Sequence, residues 1–204
     1  MHLVINSHVK NEVALEHLLE SLGGFECTAV VGGCGGNYTT MRGQCKIVNV
    51  MYNAIDFNGL LAILDGAVDV PEQFFYIHDT MCAGPDFVRK VSELQCTSSA
   101  SFLFPSMNIG VYTRTLLEKN RDFLESFRQC HDVQKNKARC VDTEDFIFKT
   151  NAYHTFISSG PPFVRGPVDY YGTNVQRIVE YYGAMDLYKI KANWTTKPLY
   201  QLQL

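Results

Sequence analysis

Short apolar runs alternate with helical patterns from the first residues of this chain, and that alternation restricts the fold more than any other feature. Leu3-Val4-Ile5-Asn6 reads as a strand, and Val13, Leu15, Leu18, Leu19 and Leu22 recur at helical spacing within Glu12 to Leu22. Gly23-Gly24 stops that helix. Cys27 to Val31 is a second strand, running into Gly32-Gly33-Cys34-Gly35-Gly36, and Lys46 to Val50 is a third. Asn53 stands where it would cap a helix through Leu64, with Asp56 as its capping-box partner, and Phe74 to Ile77 is a fourth, buried strand. Strands this short and apolar, separated by helices, predict an α/β fold with a mixed, mainly parallel central sheet flanked by helices.

After residue 80 the pattern loosens. Pro85 to Leu94 is expected as a helix, Ser101 to Phe104 and Asn108 to Tyr112 as strands around a turn at Pro105, and Arg114 to Cys130 as one long amphipathic helix. His131 to Arg139 reads as a polar, basic loop, Asp142 as the cap of a further helix, and Asn174 to Tyr182 as the final helix. The break at Ser158-Ser159-Gly160-Pro161-Pro162 is the clearest in the chain. With 204 residues and neither repeat nor linker, one domain is expected.

Composition excludes several function classes. Lys and Arg number 18 against 21 Asp and Glu, for a net charge of -3, which weighs against a nucleic-acid partner held by bulk positive charge. The seven cysteines are odd in number, scattered and without a Cys-x-x-Cys, so reduced thiols are expected rather than a disulfide framework or zinc site. No signal-like segment and no run of membrane-spanning length is present, so a soluble, cytoplasmic protein without membrane insertion is expected. The sequons at Asn37 and Asn193 mean little without secretion.

Chemistry concentrates where strands end. Phe74-Phe75-Tyr76-Ile77 stops abruptly at His78-Asp79-Thr80, and ligands of open α/β sheets collect at the carboxyl ends of strands. A carboxylate such as Asp79 can hold Mg²⁺ or Mn²⁺ there, although it can equally cap the following turn. Asn6-Ser7-His8 lies at the same kind of edge, and the Gly32-Gly33 run lets backbone approach a ligand closely. Asp142-Thr143-Glu144-Asp145 opens an expected helix, where the dipole favours ionised acids, one of which can serve as a general base. Capping and solvation explain those acids as well. Tyr181, Tyr182, Tyr188 and Trp194 lie among Arg177, Lys189 and Lys191, a mixture that suits a sugar and a phosphate, or single-stranded nucleic acid, or plain amphipathic packing.

In this order the segments resemble the GT-A type of nucleotide-sugar glycosyltransferase, over roughly the whole chain. Ile77-His78-Asp79 is similar to the last part of that group's Asp-x-Asp motif and keeps only its final acid. The resemblance implies a metal, Mn²⁺ or Mg²⁺, on Asp79, completed by His154. It implies donor binding by Asn6, Ser7, His8, Gly32, Gly33, Asp56, Asn58, His78 and Asn108. Thr143-Glu144-Asp145 resembles the group's acidic pair, which makes Asp145 the base of an inverting enzyme and Glu144 its substitute. The wording from Leu3-Val4-Ile5-Asn6-Ser7-His8 to Tyr188-Lys189-Ile190-Lys191-Ala192-Asn193-Trp194 looks similar to glycosyltransferase domains of large algal viruses, in particular a chlorella-virus domain that glycosylates the major capsid protein. The implied activity is transfer of a hexose or deoxyhexose from a UDP-sugar to a glycan or glycoprotein hydroxyl. Residues 1–80 would form the nucleotide-sugar half and 81–204 the acceptor half. The alternatives are a sugar nucleotidyltransferase and a non-catalytic nucleotide-sugar-binding module.

Overall fold

The computed structural model describes residues 1–104, 106–128, 132–158 and 160–191, and the backbone alone at Phe148. The Pro105 turn, Cys130, His131, Ser159, Trp194 and the Asn193 sequon lie outside those residues. The expected apolar runs form β1 (His2–His8), β2 (Cys27–Gly32), β4 (Cys45–Asn49) and β5 (Gln73–His78), with β3 (Tyr38–Arg42) added before β4. These join β7 (Ala100–Phe102), β8 (Ile109–Thr113) and β9 (His154–Phe156) in one eight-stranded sheet of order β3-β4-β2-β1-β5-β8-β7-β9. Strands β4-β2-β1-β5 pair in parallel, as do β7 and β9, while β3-β4, β5-β8 and β8-β7 are antiparallel. The expected mixed, mainly parallel sheet is the observed one.

Both faces of the central strands are covered, which is why they read as continuous apolar runs. Leu3 and Ile5 of β1 face a core layer with Leu15 and Leu18 of α1 (Glu12–Ser21) and Phe87 of α3 (Phe87–Glu93). Val4 faces the opposite layer, with Leu60 and Leu61 of α2 (Asn58–Leu64) and Phe57 beside it. Each such side chain, fully buried, contributes roughly 1.5–3 kcal/mol. Gly23 and Gly24 adopt φ of 59° and 86°, values that end α1 as expected.

Four expectations are corrected. The helix foreseen from Asn53 begins instead as a 3-10 turn, Ile55–Phe57, before α2, and neither Asn53 nor Asp56 caps it. The long helix from Arg114 breaks at Asn120 into α4 (Arg114–Lys119) and α5 (Arg121–Arg128). The expected basic loop is α6 (Val133–Thr143), capped by Asp132, whose side chain accepts from the Lys135 amide. Asp142 therefore lies in a last helical turn rather than a first, and Asp145 takes the cap position of α7 (Phe146–Thr150) without a side-chain bond. Finally, the helix foreseen up to Tyr182 is β11 (Arg177–Tyr182), whose Ile178, Val179 and paired tyrosines favour extended backbone. It belongs to a second sheet of order β10-β11-β12-β6, with β6 (Met81–Ala83), β10 (Phe163–Val168) and β12 (Leu187–Ile190).

Candidate active site

The parallel order β4-β2-β1-β5 reverses direction between β1 and β5, because the chain runs outward from β1 through β2 and β4 and then crosses back. Such a switch point opens a crevice beyond the carboxyl ends of the two strands. Those ends carry Asn6, Ser7 and His8 on β1 and His78 and Asp79 at β5, and all five line one cleft. Immediately after Asp79, the chain enters β6 and the second sheet. Thr80 O accepts from the Ile190 amide at 2.8 Å, so β12 is tied to this corner and brings Lys189 and Lys191 into the cleft wall.

Each wall is fixed by hydrogen bonds from elsewhere in the chain. Asn6 Nδ2 donates to Ile55 O at 3.0 Å and its Oδ1 accepts from the Gly59 amide at 2.9 Å, locking β1 to the start of α2. Asn58 is fully buried, donates to Ser7 O and Ile55 O and accepts from the Ala54 amide. Its side chain holds the loop and does not reach the cleft. Gly32 packs on that Asn58 side chain, and Gly33, at φ 76°, packs on the His8 ring, so both glycines support the cleft from behind. Asp56 does reach it, where Lys137 Nζ lies 2.9 Å from both of its oxygens.

Burial sets the protonation of the strand-end groups. Asp79 is 3% exposed, and burial pushes its carboxyl up to about 7, against the bonds donated by Ser7 Oγ at 2.8 Å and Asn11 Nδ2 at 3.3 Å. Burial pushes His78 down to about 4, although Asp56 Oδ1 stands 3.9 Å from its Nδ1. The His8 imidazole is also lowered, first by burial and then by Lys10. His78 Nε2 and Asn108 Oδ1, both on cleft residues, are buried and lack hydrogen-bond partners among the described residues. A polar ligand satisfies such atoms.

The acidic pair divides. Glu144 lines the cleft, its backbone O accepting from the Met107 amide at 2.8 Å and its Oε2 from Asn108 Nδ2 at 3.3 Å. Burial raises its pKa, and the charge of Lys189 opposes that rise. Asp145 turns the other way, pairs with Lys149 at 2.8 Å and borders a separate hollow with Phe123 and Phe146. Of the expected base and its substitute, the cleft holds the substitute, Glu144, and Asp145 lies outside it. The two neighbours point to different sides because Glu144 closes α6 and Asp145 opens α7.

His154 is not brought to Asp79 either. It starts β9, three strands from β5, and sits in register with Phe74 through Ala100 and Tyr112. That is about 14 Å across the sheet and about 16 Å along it from Asp79. Among the described residues no group of three or more His, Cys, Asp or Glu side chains is gathered as a metal site. The donor set does not fit a resident Mn²⁺ or Mg²⁺: the Asp79 carboxyl is held by Ser7 and Asn11, Asp56 is committed to Lys137, Glu144 is bonded to Asn108, and three lysines already line the cleft.

Several solved glycosyltransferases align with this chain. GlyE of Streptococcus pneumoniae TIGR4 aligns at a TM-score of 0.47 and 7% identity, over 77% of this chain and 45% of that one. The galactosyltransferase LgtC, solved with donor and acceptor sugar analogues, aligns at 0.44 and 9% identity, over 76% and 73%. A glycosyltransferase involved in glycosylation of the major capsid of PBCV-1 aligns at 0.43 and 10%, over 76% and 81%. The chain spans less than half the length of GlyE. No known protein-family model and no curated protein sequence matches it.

A second cavity, of 620 Å³ against 220 Å³ for the cleft, is larger but lies on the opposite face of the small sheet. Tyr181 and Tyr188 line it, whereas Lys189 and Lys191 alternate to the cleft side. The aromatic and basic residues that interleave in the sequence are thus sorted onto two faces. Sequence reasoning missed Asn11 and Lys137, the first as an ordinary helix-entry residue and the second inside an expected loop. No helix among the described residues is long and apolar enough to cross a membrane.

Proposed function

We propose that this chain transfers a hexose or deoxyhexose from a UDP-sugar to a glycan hydroxyl, with a capsid glycoprotein as the acceptor that the sequence resemblance suggests. One observation carries the reading: a switch-point cleft combines a half-buried acid, Glu144, with lysines and with unpartnered polar atoms on His78 and Asn108. An acid for the acceptor proton, and positive charge for a departing diphosphate, are what glycosyl transfer requires of a protein.

In this reading Glu144 is the base. The acceptor oxygen attacks the anomeric carbon from the face opposite the nucleotide, its proton passes to a Glu144 carboxylate oxygen, and the bond to the diphosphate oxygen breaks with its electron pair leaving on that oxygen. The anomeric centre inverts. Glu144's elevated pKa suits a group that must hold the proton once transfer is complete. Asn108 orients it, and Asn6, Ser7 and His8 supply the strand end against which the nucleoside rests.

A melting screen against UDP-, GDP- and CMP-sugars tests the donor. UDP-sugars alone are expected to raise Tm, and incubation with a UDP-hexose and a glycan acceptor is expected to release UDP. Stabilisation without release under any condition favours the binding module, and no response to any nucleotide sugar refutes both.

A further inference from the structure

Three lysines reach the cleft, and two of them are already neutralised. Lys137 is clasped by both oxygens of Asp56, and Lys191 Nζ lies 3.0 Å from Glu180 Oε1. Lys189 differs. It is 7% exposed, yet among the described residues its ammonium makes neither an ion pair nor a hydrogen bond. It rests 4.2 Å from the centroid of the Phe104 ring, and Lys191 Nζ lies 4.8 Å from the same ring, so two ammonium groups crowd one aromatic wall of the cleft.

An unpaired buried ammonium is costly, and one ring recovers only part of that cost. Lys191 adds repulsion, while Glu144 attracts from beyond contact distance. Burial first, and Lys191 next, lower the Lys189 pKa to about 8, which leaves the side chain mostly charged at neutral pH. A fold keeps such a group where something else brings the counter-charge. The acids of the cleft, as described above, do not compose a divalent-cation site.

The geometry points to Lys189, with Lys191 beside it, as the group that binds the diphosphate of the nucleotide in place of a divalent cation. The nucleotide in this statement rests on the glycosyl-transfer reading; the anion site does not. Lys189 and Lys191 project from alternate positions at the end of β12, the strand that the Thr80 carbonyl ties to Asp79's corner. Lys189 supplies the uncommitted charge-assisted hydrogen bond to the diphosphate, and the Lys191 ammonium, held by Glu180, stands beside it on the same ring.

Calorimetric titration with inorganic pyrophosphate and with UDP, each in EDTA and in Mn²⁺, tests the assignment on the wild type, Lys189→Met and Lys189→Arg. Both ligands are expected to bind in EDTA, with Mn²⁺ changing either affinity by less than about threefold. Lys189→Met is expected to weaken both by about 10- to 100-fold, and Lys189→Arg to restore most of the loss. Lys189→Met removes an unpaired charge, so its melting temperature is expected at or above the wild type's, which reports on folding. If that variant does not fold, the wild-type comparison of EDTA with Mn²⁺ still decides. Binding that requires Mn²⁺, or that survives Lys189→Met unchanged, overturns the assignment and leaves the transfer reading standing. Pyrophosphate binding as expected with no binding of UDP supports the lysine site and removes the UDP reading. No binding of either ligand overturns both.

Discussion

Asp79 and His78 are adjacent and buried in the same corner, and burial shifts their pKa values in opposite directions. Asp79's pKa is raised to about 7, so the folded state favours its neutral form and stability falls as pH rises from about 4 to about 7. His78's is lowered to about 4, so the stability it contributes is present above about 6.5 and is lost as pH falls toward 4. The two slopes oppose and flatten the profile. Asp79→Asn keeps the shape, removes the acid's slope and leaves the histidine's. Urea unfolding of this variant is expected to show stability falling by on the order of 2 kcal/mol between pH 7 and pH 4, relative to wild type. A variant profile parallel to the wild type's contradicts the opposition. At this scale the sequence was informative where a residue sits at its own strand end, as Asn6, Ser7, His8 and Asp79 do. Lys137 and Lys189 come from elements 58 and 110 residues beyond Asp79, and no local pattern marks them. Between Glu144 and Asp145, one residue of backbone direction at the end of α6 decides which acid faces the cleft.

At the scale of elements, hydrophobic period found what apolar residues build and missed what polar residues build. α6 is the clearest case. Its two fully buried positions are Asn136 and Cys140, four apart on one face, and Asn136 Nδ2 donates to Asn53 O at 2.6 Å and Phe127 O at 3.0 Å. That face is anchored by an amide, so the segment carries no apolar stripe for periodicity to detect. β3 is exposed along its length, and glycines or polar residues flank it, which hides an edge strand. The Arg177–Tyr182 run, by contrast, carried its β-forming composition openly; one-sided burial across the small sheet imitates a helical spacing of large residues. Asn136→Ala strands two buried carbonyls and loosens the helix that delivers Lys137 to Asp56. A loss of about 1–3 kcal/mol in equilibrium unfolding is expected, and unchanged stability contradicts the anchoring role.

For the whole molecule, the decisive feature is the corner between two sheets. The first eighty residues build the doubly covered parallel sheet and its switch point, and that half was legible because its strands are apolar on both faces. Thr80 ends the path from β5, and β6 opens the second sheet. The cleft is not the property of either half. β1 and β5 give a polar floor, α6 gives Lys137 and, at its C-terminal cap, Glu144, and β12 gives Lys189 with Lys191 just beyond it. Charges from separate elements are brought together only where the two sheets meet. The overall charge of -3 does not show this arrangement, in which three lysines face three acids, Asp56, Asp79 and Glu144, across one cleft.

The claim that Glu144, and not Asp145, takes the acceptor proton is tested most directly by the rate of UDP release from a UDP-hexose in the presence of a glycan acceptor. For Glu144→Gln the rate is expected to fall by about 10²–10⁴-fold with donor affinity retained, and for Asp145→Asn to stay close to wild type. Full turnover in Glu144→Gln, or a collapse confined to Asp145→Asn, contradicts it.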